Sequence, residues 1–190
     1  MITPIVNELV VKAREELKFK GIGHRFIACS LILPTRFQNA KTLNFLCPMP
    51  YLISREFTFC YGHRLLNYDG KCSHLHGHNG RVVLTLCSET LDEQGMVHDF
   101  SELKDVIDGW IQRVIDHKMV LRKDDPMVPV LQEQEAPLFL MDDNPTAENF
   151  ARLFFELAQT MNYPVCRVQF WETEKCCAEY SDHHVTTHHS

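Results

Sequence analysis

The chain has 190 residues, 45% of them hydrophobic, and its 19 Lys and Arg residues against 25 Asp and Glu give a formal net charge of −6. This length and apolar content predict one folded domain with a substantial core, and they argue against disorder. The negative charge excludes a global basic field that would attract nucleic acid or an anionic membrane, so an anionic ligand needs a local pocket.

Residues 1–48 are predicted to be an N-terminal extension of the main fold. Apolar residues between Ile5 and Leu17 are consistent with one face of an amphipathic helix, but the following stretch has no clear period and is interrupted by prolines. We expect this extension to be dispensable, so that a chain beginning at Met49 would assemble and work normally. The alternative is a genuine extra element that contributes to the core or to subunit contacts.

Two strands are predicted next. Phe57, Phe59, Tyr61 and His63 alternate with small or polar residues, which is the period of a half-buried strand ending at His63. The segment "LLNYDGKC" supplies turn residues, and "GRVVLTLCSE" is a second strand. Neighbouring strands joined by a loop usually pair antiparallel.

Two helices follow, separated by residues 121–145, which are rich in prolines and acidic residues and are interpreted as a long connection. Asp99 and Glu102 are predicted to form a capping box at the start of the first helix, and Asp116 and His117 fall at its C-terminal end. Thr146 is predicted to cap the second. Apolar residues at helical spacing mark their buried faces: Phe100, Leu103, Ile107, Trp110, Ile111 and Val114 in the first, and Phe150, Leu153, Phe154, Leu157 and Met161 in the second.

Two more strands are predicted in "VCRVQFWETE" and "CAEYS", so the order of elements is ββααββ. This order favours an α+β fold with a four-stranded antiparallel sheet and both helices on one face. The domain is assigned to residues 49–182, and residues 183–190 form a His-rich tail.

The eight cysteines are scattered, with one adjacent pair and no CxxC motif. This pattern fits reduced thiols better than a disulfide framework or a zinc ribbon. No apolar run is long enough to span a bilayer, and the first residues lack the basic-then-apolar order of a secretory signal. We therefore predict a cytoplasmic protein.

The segment "KCSHLHGHNG" concentrates residues that ligate metals. In an extended segment His76 and His78 project the same way, and His74 has the same parity. His63 can approach from the side if the two strands pair. Three neutral imidazoles with one open position are typical of a catalytic zinc site. The competing interpretation, solvated loop histidines, is less favoured for this pattern.

Proton-handling groups are also present. Cys72 lies four residues before His76, and a cysteine beside a divalent cation becomes a plausible general base, although ordinary packing is the simpler role. Asp116 and His117 are either a solvated helix end or a histidine held in one tautomer by a carboxylate. The residues alone leave both alternatives open.

Six motifs, in order from about Ile53 to Tyr180, resemble the 6-pyruvoyltetrahydropterin synthase family: "FTFCYGHRL", "KCSHLHGHNGRVVLTL", "GMVHDFSELK", "IDHKMVL", "NPTAENFA" and "FWETEKCCAEY". The spacing in "CSHLHGH" looks most like its bacterial 6-carboxytetrahydropterin synthase branch. The resemblance implies the T-fold, assembled as a homohexamer with active sites between subunits. It also implies a pterin triphosphate substrate, 7,8-dihydroneopterin triphosphate, and a product used to make queuosine.

The resemblance also implies roles for individual residues. The Zn²⁺ ligands would be His63, His76 and His78, the base Cys72, and the second proton-handling pair Asp116 and His117. Glu172 would grip the pterin, and Thr146 and Glu148 match another stretch that contacts it, although a helix cap explains those two equally well. Arg64, Lys71 and His74 are candidates for binding the triphosphate. The alternatives are a pyruvoyl-forming enzyme without carbon–carbon cleavage and a non-catalytic protein that binds zinc or pterin.

Overall fold

The computed structural model describes residues 50–181. The predictions for residues 1–48 and for the tail at 183–190 lie outside these residues. Within them, nine regular elements alternate along the chain: β1 (Tyr51–His63), β2 (His76–Ser88), α1 (Phe100–Val114), β3 (Lys118–Arg122), α2 (Met127–Glu133), β4 (Leu138–Met141), α3 (Ala147–Thr160), β5 (Val165–Thr173) and β6 (Cys176–Ser181).

The elements form an α+β domain around one mixed sheet with the strand order β4-β3-β1-β2-β5-β6. The four strands expected from the sequence are contiguous and antiparallel, in the order β1-β2-β5-β6. β1 and β2 pair along their whole lengths, from Tyr51 opposite Ser88 to His63 opposite His76. This register brings the end of β1 to the beginning of β2, where the histidines lie.

The connection after α1 contains more structure than the sequence indicated. β3 pairs parallel with β1, and β4 pairs parallel with β3, so the sheet has six strands rather than four. A seven-residue helix, α2, lies between these two strands. Residues 121–145 were predicted only as a long connection, because strands of five and four residues are too short to establish a period.

One hydrophobic core joins α1 and α3 to a single face of the sheet. Phe59 and Tyr61 point into it from β1, as their alternation predicted, and Phe150 stacks on Phe170 with ring centroids 4.6 Å apart. A Cβ added at Gly80 would lie 3.0 Å from atoms of both Tyr61 and Phe170, so only glycine lets these rings approach. The core therefore holds the histidine-bearing end of β1 against α3.

Both long helices begin near the predicted residues. The Asp99 side chain caps α1 by accepting a hydrogen bond from the Ser101 N–H, and the Thr146 side chain caps α3 by accepting one from the Asn149 N–H. The predicted capping box is confirmed only for Asp99, because the Glu102 carboxylate lies 3.7 Å from the His98 ring, four residues earlier. Phe100 is 45% exposed and was wrongly assigned to the core, since the first residue of α1 lies at its solvent end.

Candidate active site

Three histidines converge where β1 ends and β2 begins. His63 is directly opposite His76, and Tyr61 is opposite His78, so all three imidazoles project from the same face of the sheet. Their ligand nitrogens lie within 4.8 Å of one another. We call His63, His76 and His78 the three-histidine cluster. His74 is exposed and outside it, because a 3₁₀ turn at Lys71–Ser73 precedes the strand.

The hydrogen bonds of this cluster fit a bound cation. Nδ1 of His63 lies 2.8 Å from the Pro145 carbonyl oxygen, and Nδ1 of His76 lies 2.8 Å from the His74 carbonyl oxygen. A carbonyl can only accept, so each Nδ1 carries the proton and each Nε2 presents a lone pair. These two Nε2 atoms are 3.0 Å apart, where two lone pairs repel unless they share a cation. Carbonyl partners on the outer nitrogen are also usual for metal-ligating histidines.

Burial keeps His63 and His78 in the neutral form that a metal needs. Burial lowers the pKa of His63 to about 4. The hydrogen bond with Pro145 raises this pKa, and the two neighbouring imidazoles lower it further. The pKa of His78 is also lowered, mainly by burial, although the Glu172 carboxylate opposes this. Near neutral pH these two rings therefore offer lone pairs rather than positive charge.

Glu172, near the end of β5, lies beside the cluster. Its Oε1 is 3.8 Å from His63 Nε2 and 3.4 Å from the Tyr61 hydroxyl. Burial, and then the negative charge of Glu172, raise the pKa of Tyr61, so this hydroxyl stays protonated and donates to the carboxylate. The side chain of Glu172 is 24% exposed, which leaves room for a ligand to reach it. The structure thus places a held carboxylate next to the three-histidine cluster.

Cys72 occupies the 3₁₀ turn immediately before β2. It is half-buried, and its carbonyl accepts a hydrogen bond of 2.8 Å from the Leu65 N–H. This bond anchors the backbone of Cys72 to the residues that follow His63. Its role as a base stays a prediction.

Asp116 and His117 form a hydrogen-bonded pair between α1 and β3. Asp116 Oδ2 is 2.8 Å from His117 Nδ1, and Oδ1 accepts a hydrogen bond of 2.9 Å from the Cys60 N–H. His117 has a φ of +57°, and its N–H donates to the Cys60 carbonyl at 2.7 Å. The carboxylate fixes the tautomer and leaves Nε2 of a largely exposed imidazole free to accept a proton.

The Asp116–His117 pair does not join the three-histidine cluster within one chain. In residues 50–181, the metal-ligating atoms that gather with the pair belong to Cys60. Cys60 is three positions before His63 on β1, so their side chains point to opposite faces of the sheet. The Asp116–His117 pair and the three-histidine cluster therefore lie on opposite faces of the sheet within one chain.

The start of α3 contacts the cluster through its backbone. The Pro145 carbonyl holds His63, and the adjacent Thr146 uses its hydroxyl oxygen to cap the helix. Glu148 is exposed in the first turn. The geometry therefore gives Thr146 a structural role, and contact of either side chain with pterin stays a prediction.

Arg64, a candidate for binding the triphosphate, is engaged inside the protein. Its Nε and Nη2 donate to the two oxygens of Asp125, at 2.8 and 2.5 Å, and the Asp125 side chain is fully buried. This ion pair fixes the backbone directly after His63. Lys71 and His74 are exposed and remain candidates for the triphosphate.

Sequence reasoning missed three parts of this site: the Tyr61 hydroxyl, the Pro145 carbonyl and Asp125. The alternation of β1 could have indicated Tyr61, because it shares the face of His63. No local pattern distinguishes Asp125 from its exposed neighbour Asp124, and a backbone carbonyl leaves no mark in a sequence.

A family model described as 6-pyruvoyl tetrahydropterin synthase matches residues 52–183. Among curated relatives, the chain is similar to the 6-carboxy-5,6,7,8-tetrahydropterin synthase of Rickettsia bellii, with 32% identity over 66% of this chain and 96% of that protein. It is also similar to the protein of the same name from Aquifex aeolicus, with 32% identity over 70% of this chain and 99% of that one.

Solved structures agree in fold. A crystal structure of an uncharacterized protein from Wolinella succinogenes superposes with a TM-score of 0.61 and 28% identity, covering 70% of this chain and 99% of that one. The structure of Caenorhabditis elegans 6-pyruvoyl tetrahydropterin synthase gives a TM-score of 0.53 and 26% identity, covering 70% and 96%.

Proposed function

The chain belongs to the 6-pyruvoyl tetrahydropterin synthase family, and we propose that it converts 7,8-dihydroneopterin triphosphate to 6-carboxy-5,6,7,8-tetrahydropterin, with release of acetaldehyde and triphosphate. The observation that carries this proposal is the three-histidine cluster with the Glu172 carboxylate 3.8 Å from one of its nitrogens. Two of its curated relatives bear the name of this carboxy-forming enzyme. Its product would feed the formation of the 7-deazaguanine base of queuosine.

We propose Zn²⁺ as the metal held by the three-histidine cluster. Three neutral imidazoles without a fourth protein ligand match an open catalytic zinc site. When bound, the ion lowers the pKa of the substrate's side-chain hydroxyls. Glu172 suits the pterin ring, since a carboxylate accepts two hydrogen bonds side by side from a ring N–H and the adjacent amine.

Protons are moved by Cys72 and by His117. Asp116 keeps His117 in the tautomer whose Nε2 is free, so His117 can receive a proton in the reaction and return it later. Because this pair and the three-histidine cluster lie on opposite faces of one sheet, we propose that each active site is completed by a neighbouring subunit. A homohexamer with active sites at its interfaces satisfies this requirement.

Analysis of the products tests the proposal. The purified full chain, loaded with zinc and given 7,8-dihydroneopterin triphosphate, should yield 6-carboxytetrahydropterin by mass spectrometry and one equivalent of trapped acetaldehyde. The second candidate, 6-pyruvoyltetrahydropterin synthase, is favoured by the name of the matching family and of the nematode structure. A pyruvoyl product without acetaldehyde would establish that candidate, and zinc and pterin binding without turnover would indicate a non-catalytic protein.

A further inference from the structure

A second group of metal-ligating side chains lies on the other face of the sheet. The Cys60 sulfur, an Asp116 carboxylate oxygen and a His117 ring nitrogen are all within 4.8 Å of one another. Cys60 comes from β1, and the other two residues come from the turn between α1 and β3. We call these three residues the Cys60 cluster.

The backbone holds the Cys60 cluster in place before any ligand arrives. Asp116 accepts from the Cys60 N–H at 2.9 Å, and the His117 N–H donates to the Cys60 carbonyl at 2.7 Å. His117 also keeps a φ of +57°, a left-handed conformation that is uncommon for residues other than glycine. Two reciprocal contacts with one residue of a central strand therefore fix the turn that presents the carboxylate and the imidazole.

The ligand chemistry suits a borderline-soft divalent cation. Thiolate, imidazole and carboxylate are the three side-chain groups that bind zinc in proteins. Tetrahedral coordination at the usual bond lengths places ligand atoms roughly 3.3–3.6 Å apart, so side-chain movements of about 1 Å, which also lengthen the 2.8 Å contact between Asp116 and His117, form the site. Cys60 is exposed and the His117 side chain is 76% exposed, so both can make that adjustment. Asn79 Oδ1, 3.1 Å from the sulfur, is a neighbouring oxygen for the fourth position.

We propose that the Cys60 cluster binds a second divalent cation of the zinc class, separate from the one held by the three-histidine cluster. On binding, the thiol releases to solvent the proton it now donates to Asn79, and the cation takes the place of the Nδ1 proton between Asp116 and His117, so that the neutral imidazole carries its proton on Nε2. A consequence that rests on the proposed function is inhibition by excess zinc, since His117 Nε2 would then be unable to accept a proton.

Cobalt spectroscopy tests the second site without reference to activity. The full chain, carrying one equivalent of zinc, is titrated with Co²⁺, and the thiolate-to-cobalt charge-transfer band in the near ultraviolet is followed. The three-histidine cluster has no sulfur ligand, so the band reports a cysteine-containing site. We expect the band to saturate at one equivalent of cobalt and to disappear in Cys60→Ser. His117→Asn, which tolerates the left-handed backbone, should weaken cobalt binding at least tenfold.

Matched controls separate this site from other thiols. Cys72→Ser and Cys177→Ser should both retain the band, because neither sulfur belongs to the Cys60 cluster. Absence of the band in the unaltered chain, its persistence in Cys60→Ser, or its loss in Cys72→Ser would each overturn the proposal.

Measurements of turnover distinguish a failure of the second metal site from a failure of the proposed function. A second equivalent of zinc should lower the rate of the unaltered chain several-fold and leave Cys60→Ser at its own one-equivalent rate. If cobalt spectroscopy demonstrates the site but zinc does not inhibit, the second metal site stands and the proton-handling role of His117 fails.

Discussion

The buried ion pair between Arg64 and Asp125 provides the sharpest test of how the three-histidine cluster is supported. The change is Asp125→Asn, which preserves the shape of the side chain and removes its charge. The Asp125 carboxylate is fully buried, and both its oxygens accept from Arg64, whose side chain is 21% exposed. Arg64 directly follows His63, so loss of the ion pair frees the backbone next to the three-histidine cluster.

The expected loss of stability follows from what remains in the variant. Removing one partner of a buried ion pair costs about 3–5 kcal/mol, because the other charge is left without compensation. The partial exposure of Arg64 lets water reach its guanidinium, and the asparagine oxygen can still accept from the Met127 N–H, so we expect about 3 kcal/mol, at the lower end of that range. For a protein of this size this corresponds to a melting temperature roughly 6–12 °C lower.

The assay is thermal unfolding of the full chain followed by circular dichroism, at one fixed zinc concentration because bound metal adds its own stability. The control is Asp124→Asn, the same change one residue earlier. Asp124 is 61% exposed and pairs with Arg122 at the surface, so its loss should barely move the midpoint. Equal shifts for the two variants, or a melting temperature of Asp125→Asn within error of the unaltered chain, would refute the reasoning.

The pH dependence gives a second check on the same variant. Burial alone would raise the pKa of Asp125, but the hydrogen bonds from Arg64 and the Met127 N–H outweigh it and hold the pKa below the ordinary 3.8. A carboxyl whose pKa is lowered by folding stabilises the protein above its unfolded pKa, and this contribution is lost as the pH falls through the folded value. The difference between the unaltered chain and Asp125→Asn should therefore be constant near neutral pH and shrink below pH 3.8.

Three further predictions concern the site itself. His76→Ala should lose most of its zinc by metal analysis, whereas His74→Ala should keep it, since only the first imidazole belongs to the cluster; full zinc occupancy in His76→Ala would show that the ligand set is wrong. Cys72→Ala should keep zinc and pterin binding but lose most turnover, because removing a base spares ground-state contacts; an equal loss in Cys176→Ala would point to packing instead. Glu172→Gln should weaken pterin binding at least tenfold in a fluorescence titration without changing zinc content, because an amide cannot accept two hydrogen bonds as a carboxylate does. Unchanged affinity for pterin would show that Glu172 does not belong to the site.

The sequence alone determined the parts of the fold that repeat with a clear period. Strand alternation identified β1 up to His63, and helical spacing identified α1 and α3, because each of these elements buries one face against the core. The same alternation placed His76 and His78 on one side of β2. Local pattern was therefore sufficient for the four antiparallel strands, for the two long helices and for the shared side of His76 and His78.

Only the tertiary structure decided how distant residues meet. The register of β1 with β2 brings His63 opposite His76, which excludes His74 from the cluster although its parity was equally suitable. The short strands β3 and β4 form because the edge of β1 offers unpaired backbone groups, a condition that no local period records.

The sequence also does not show which charged side chains become buried. Asp124 and Asp125 are identical neighbours in the sequence, yet one is 61% exposed in a surface pair and the other is buried with Arg64. Packing of the chain against itself determines which of them can be desolvated. The chemistry of a side chain can thus be read from the sequence, whereas its partner is fixed only when the sheet and its helices close around it.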